Sequence, residues 1–235
     1  MRKPSTSAFT LIEMLTVLVI IVILSGLVLN LAGYVNNRSA RARTEGEISM
    51  LLSACESYKA DNGNYPRDTS TSSVTDTISP KLHFTPTATQ YSASSLFLYE
   101  QLTGDLTTNG QANTQPDGIP DDGVPRYMKE YDPRILNATK DPNTKAITAV
   151  NYLQDPFGFP YAYSTAAAND EQKYQTQLLR NPGLASSITR PTGNALHGFN
   201  TGSFDLWSTG GSNPTSSPAS TQAMQLQWAK WLKNW

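Results

Sequence analysis

Residues 14–37 carry no charged side chain, and fifteen of the residues from 11 to 31 are Leu, Ile or Val. At about 1.5 Å of rise per residue, roughly 20 helical residues cross a hydrocarbon core of ~30 Å. At about −0.3 to −0.6 kcal/mol each, fifteen such side chains favour a membrane by several kcal/mol. A helix buried in a soluble core seldom stays apolar around its whole circumference for so long. The remainder of the chain is of another kind. Even with that run, the whole chain of 235 residues is only 38% hydrophobic, with 18 Lys+Arg against 19 Asp+Glu. A net charge of −1 leaves no chain-wide basic footprint, so nucleic acid is not an expected partner. The single cysteine, Cys55, excludes an internal disulfide and a cysteine zinc site. His83 and His197 leave little room for a histidine metal cluster or a Ser-His-Asp enzyme. Phosphate loops, zincin helices and Gly-x-Ser-x-Gly elbows are absent, so the chain does not read as an enzyme.

Three fates suit such an apolar start: a cleaved secretory signal, an uncleaved anchor, or a cut in front of the apolar run. Arg2 and Lys3 fit a signal, with a cut near Ala32, but the run is long for a signal core. The stretch Ser7-Ala8-Phe9-Thr10-Leu11-Ile12-Glu13 bears on the third fate. It places a carboxylate just inside the apolar run, where an acid needs a partner. A cut after Ala8 supplies one, the new α-amine of Phe9 on a neighbouring subunit.

Ala8-Phe9-Thr10-Leu11-Ile12-Glu13-Met14-Leu15 resembles the start of the type IV pilin and type II secretion pseudopilin superfamily. The resemblance implies a leader of residues 1–8, removed by a prepilin peptidase that methylates the new amine of Phe9. It also implies that Glu13 neutralises the amino terminus of an adjacent subunit during assembly. Ala8 stands where the family more often has Gly. A proline that many relatives carry falls on Asn30 here; Gly26 and Gly33 are the nearby positions that permit local melting. By resemblance, the leader lies in the cytoplasm and the rest outside. The basic residues do not decide this, since Arg2 and Lys3 flank one end of the run and Arg38, Arg41 and Arg43 the other.

No proline interrupts the chain from Phe9 to Tyr65. Ile48, Leu51, Leu52 and Cys55 fall at i, i+3, i+4 and i+7, with Tyr58 beyond, which predicts an amphipathic continuation of the helix. One helix from Phe9 to about Asp61 would be ~80 Å long. Asn62, Gly63 and Pro66 stop it. Cys55, on the stripe, reads as a small core residue. Residues 67–95, rich in Ser and Thr, read as a surface excursion. Residues 96–102 read as a short helix stopped at Gly104, and 146–153 as a strand. Residues 170–179 read as a helix capped by Asn169, and 203–208 as a strand entering Thr209-Gly210-Gly211. Met224, Trp228, Trp231, Leu232 and Trp235 have helical spacing, with Ser220 or Thr221 as cap. That helix is expected to pack on the head rather than lie on a membrane. Three later stretches extend the resemblance to the major pseudopilin subgroup. Tyr58-Lys59-Ala60-Asp61-Asn62-Gly63-Asn64-Tyr65-Pro66 is similar to the end of that subgroup's long helix. Asp155-Pro156-Phe157-Gly158-Phe159-Pro160-Tyr161-Ala162-Tyr163 is similar to its Asp-Pro-Trp-Gly-x-Pro-Tyr-x-Tyr segment, with Phe157 for Trp. Asp205-Leu206-Trp207-Ser208 and the final Asn234-Trp235 are likewise similar.

The expected fold is therefore α+β. A long amino-terminal helix, transmembrane and then amphipathic, packs against a small antiparallel sheet head with enlarged loops. The expected divisions are residues 1–8 (leader), 9–33 (transmembrane and assembly helix), 34–66 (amphipathic half and its turn) and 67–235 (extracytoplasmic head). No cofactor is required, and calcium is the single candidate. Relatives often bind it in a late acidic loop, but residues 209–220 here hold no carboxylate. Asp105, Asn109, Asp117, Asp121 and Asp122 stud a Gly-containing stretch and form the other oxygen-rich candidate, read alternatively as a solvated acidic turn. The functional expectation is a pseudopilin, assembled with copies of itself into a type II secretion pseudopilus for protein export. Its partners are prepilin peptidase, an inner-membrane assembly platform, minor pseudopilins and membrane lipid. It sits in the bacterial cytoplasmic membrane as a single-pass protein with its head in the periplasm. The alternatives are a type IV pilus pilin, a minor pseudopilin, or a membrane-anchored binding protein.

Overall fold

The structure is a computed structural model that describes residues 10–106, 115–214 and 218–235, the side chains of 27–32 and 194 excepted. The chain divides into two compact units, Met1–Ala42 and Arg43–Trp235. Helix α1, Leu11–Asn62, begins in the first and ends in the second. In the first unit its apolar side chains lie open: every Leu, Ile, Val and Met from Leu11 to Leu24 is at least 49% exposed. Among the described residues, no helix is long and apolar enough to cross a membrane.

In the second unit α1 buries the stripe expected of it. Leu51 and Cys55 are wholly enclosed and Ile48 nearly so, joined by Ala54 and Thr44. The helix ends where Gly63 adopts a left-handed φ of 78° and its N–H meets the Lys59 carbonyl at 2.7 Å. The stripe packs in one core with helix α2, Thr89–Thr103, and with the hairpin of β1, Leu136–Lys140, and β2, Ile147–Leu153. α2 is longer than the sequence suggests, and Gly104 closes it in the left-handed conformation, φ 74°. A side chain there would also crowd the Pro125 carbonyl and Val124.

A second antiparallel sheet runs in the order β3, Ala162–Ser164, then β4, Asp205–Ser208, then β5, Leu232–Lys233. Ala162 faces Trp207, and Ser208 faces Leu232. Helices α3, Ala166–Arg180, and α4, Thr221–Trp228, complete the unit. The α+β architecture with small antiparallel sheets is thus as the sequence predicts.

Three local expectations are corrected. Residues 67–95 are not a surface excursion: Ile78, Phe84 and Tyr91 are buried with Trp207 and Trp231 in a second core. Acceptors of this segment are met by hydroxyls at and just after the end of β3. Ser164 Oγ donates to the Ile78 carbonyl at 2.6 Å, and Thr165 Oγ1 bonds Thr75 Oγ1 at 2.8 Å and Asp76 Oδ1 at 2.7 Å. Next, α3 starts three residues before Asn169, with Thr165 as the flanking residue. Last, Trp231, Leu232 and Trp235 do not continue α4. The chain turns after Trp228 so that Leu232 and Lys233 pair with β4. Trp231 then stacks on Trp207 at 5.9 Å and 10°. Strand pairing overrides the helical spacing, and the tryptophans pack on the head.

Candidate functional site

The first turn of α1 is built by Thr10-Leu11-Ile12-Glu13. The Thr10 N–H and hydroxyl both donate to Glu13 Oε2 at 2.7 Å. In return, the Glu13 N–H reaches the Thr10 hydroxyl at 3.4 Å and its carbonyl at 3.1 Å. This is a reciprocal capping box, which satisfies donors that a helix start otherwise leaves without partners. The signal was present as Thr-x-x-Glu, but reading Glu13 only as an intermolecular partner passes over it. Glu13 is exposed, as are Leu11 and Ile12 beside it. The site therefore combines a preformed carboxylate, held near one end of the helix, with a bare, mainly apolar helix surface from Met14 to Leu24. The two other expected processing positions, Ala8 and Phe9, lie outside the described residues.

The upper part of α1 carries polar links within the head. Tyr161 Oη donates to Glu47 Oε2 at 2.6 Å, and Arg43 Nε donates to Glu47 Oε1 at 2.8 Å. Tyr58 Oη reaches Gln101 at 3.1 Å, and Asn62 reaches the Tyr127 hydroxyl at 3.0 Å. Burial pushes the Tyr161 hydroxyl far above its ordinary range, with the Glu47 carboxylate adding to the effect. The Cys55 thiol is pushed up likewise by burial, which removes it as a nucleophile at neutral pH.

Of the oxygen-rich candidates, Asn109 lies outside the described residues and the four aspartates are placed. Asp105 is buried, and its carboxylate accepts from Tyr99 Oη at 2.7 Å, Gly118 N at 2.8 Å and Asp117 N at 3.2 Å. Asp117 accepts from Ile119 N at 2.9 Å, and Asp121 from Leu106 N at 2.9 Å. Asp122 is exposed. Burial raises the Asp105 pKa against the pull of Tyr99 and the two backbone donors. Among the described residues, no three His, Cys, Asp or Glu side chains converge as metal ligands would. Asp105, Asp117 and Asp121 instead accept N–H groups of the loop that follows α2. In the turn between β2 and β3, Asp155 accepts from Phe157 N at 3.0 Å, Phe159 N at 2.9 Å and Ser208 Oγ at 2.5 Å. That ties the Asp-Pro turn to the end of β4.

Residues 3–29 match the prokaryotic N-terminal methylation motif. The chain is 42% identical over 67 residues to the type II secretion system core protein G of Klebsiella michiganensis. That stretch is 28% of this chain and 46% of that protein, so the chain spans about half the length of the curated relative it matches. No solved structure matches it. The chain is thus similar to type IV pilins and type II secretion pseudopilins, as its first residues suggest.

Proposed function

We propose that this chain is a filament-forming subunit of a type II secretion pseudopilus. The observation that carries the reading is the methylation motif over residues 3–29, whose described part from Leu11 onward lies on a helix where the apolar side chains from Leu11 to Leu24 have no cover within their own unit. About half or more of each such side chain is bare, an arrangement that water penalises at roughly 25 cal/mol per Å² of apolar surface. Lipid before assembly and neighbouring helices after it remove that cost. Before assembly the subunit is a single-pass protein of the cytoplasmic membrane, with residues 67–235 in the periplasm. Prepilin peptidase cuts between Ala8 and Phe9 and methylates the new amine. An assembly platform then draws the subunit into a filament beside minor pseudopilins.

Glu13 has two successive partners in this scheme. In the single subunit, its carboxylate accepts from Thr10. In the filament, the methylammonium of a neighbour's Phe9 replaces that local bond. Such a buried pair fixes register more than it adds stability, because desolvation offsets much of the Coulomb gain. The test is Glu13→Ala in cells that assemble the filament. The variant is expected to accumulate in the membrane with an unchanged head and to yield no filaments on shearing. Filaments in the normal amount would remove the proposed role.

A further inference from the structure

Helix α1 runs from Leu11 to Asn62, and charges are few along it. Between Glu13 and Glu45 the sequence holds no other acid, and its cations there are Arg38, Arg41 and Arg43. The register proposed above sets the Phe9 amine of one subunit against Glu13 of a neighbour, four residues further along. In parallel helices that is an axial offset of about 6 Å, at about 1.5 Å per residue. The same offset brings each residue of one helix level with the residue four places on in the next. Arg41 is thereby level with Glu45, and Arg43 with Glu47.

Helical phase separates these two pairs. Glu45 stands 32 residues after Glu13, as Arg41 does after Phe9. On a regular α-helix that is about 8.9 turns, and a nearly whole number of turns returns to the starting side. For Glu47 and Arg43 the separation is 34 residues, about 9.4 turns, which leads to the opposite side. The two acids also differ in what already holds them. Glu47 is spent within its own chain, accepting from Arg43 Nε at 2.8 Å and from Tyr161 Oη at 2.6 Å. Glu45 is exposed and makes no ion pair among the described residues. Of the two acids, Glu45 is the one left open to a neighbouring chain.

We infer that Arg41 of one subunit pairs with Glu45 of the next copy, a second charged contact in the register of the Phe9 amine and Glu13. This rests on the filament reading above and adds to it a contact further along α1. Its two members differ and are offset along the axis, so the contact propagates instead of closing into a dimer. The test places Arg41→Glu and Glu45→Arg, separately, in the full chain in assembling cells. Either variant alone sets like charges together at every contact, and sheared filaments are expected to fall about tenfold. Producing both variants in one cell is expected to restore the filaments. Alternating copies then set opposite charges together at every contact, while each chain still holds like charges within its own helix. A normal yield from either variant alone overturns the contact and leaves the proposed function standing. So does a mixture that recovers nothing although both chains accumulate in the membrane. Glu45→Gln, a neutral change of similar size at an exposed position, is expected to lower the yield by about half or more at an unchanged membrane level. A normal yield from it overturns the contact even where the charge-reversed chains do not accumulate. An unsubstituted chain that forms no filaments overturns the proposed function, and the contact with it.

Discussion

Single carboxylates organise the head more than any exposed charge does. Asp105, Asp155 and Asp205 are all buried, and burial raises each pKa despite the N–H and O–H groups that surround it. A carboxyl whose folded pKa lies above its unfolded value binds protons more readily in the folded state. Its contribution to stability therefore grows as pH falls through the folded pKa and shrinks as pH rises. Asp132 works in the opposite sense. Hydrogen bonds from Arg134 hold it down to about 2, so its contribution is present above its unfolded value and lost as pH falls. The prediction concerns Asp155→Asn, which keeps the shape and removes the titration. The full-length protein in detergent, followed by thermal unfolding, is expected to outlast the variant by a margin that widens from pH 7 to about pH 4.5. A constant margin would mean that Asp155 titrates alike in both states. Asp105 teaches a related lesson. Acids near glycines read in sequence either as cation ligands or as an acidic turn, because spacing does not reveal where their oxygens face; the Asp105 carboxylate accepts from Tyr99 and from the N–H groups of Asp117 and Gly118.

Among the elements, α1 is two surfaces on one helix. Leu51 lies wholly within the core, and Leu18, also on α1, is 63% exposed. Leu51→Ala is expected to lower stability by about 2–5 kcal/mol, the usual result of emptying a packed site. Leu18→Ala is expected to leave the unfolding of the head unchanged. Chemical denaturation of the detergent-solubilised protein measures both, and equal losses would contradict the division. The features legible in sequence were those whose cause is local. The apolar stripe, the stops at Gly63 and Gly104 and the Ser220 cap, whose Oγ accepts from Ala223 N at 3.2 Å, all follow from neighbours within a few residues. Those that escaped depend on distant partners. Strand β1 exists because Leu136–Lys140 meets β2, and Trp231 leaves the helical pattern because β5 meets β4. The Ser/Thr-rich segment enters the core where the Ile78 carbonyl and the Thr75 hydroxyl accept from Ser164 and Thr165, up to 90 residues away. The Thr10–Glu13 box was local and legible, and only the expectation of an intermolecular role obscured it.

The whole molecule is the sum of two unlike parts. The proposed removal of residues 1–8 would take away Arg2 and Lys3, leaving 16 basic against 19 acidic side chains, a more acidic chain than the full sequence. The middling average hydrophobicity is the mean of an almost wholly apolar helix start and a polar head held by two aromatic-rich cores. Such a partition makes sense for a subunit whose helix must change surroundings while its head stays folded. Processing in front of Phe9 is the step on which everything else in this scheme depends. The most direct measurement is therefore the mass of the intact subunit and of its amino-terminal peptide, taken from cells that carry the prepilin peptidase. The account predicts a chain that begins with N-methylated Phe9. An unmethylated chain beginning at Met1, or one beginning near Gly33, would contradict it.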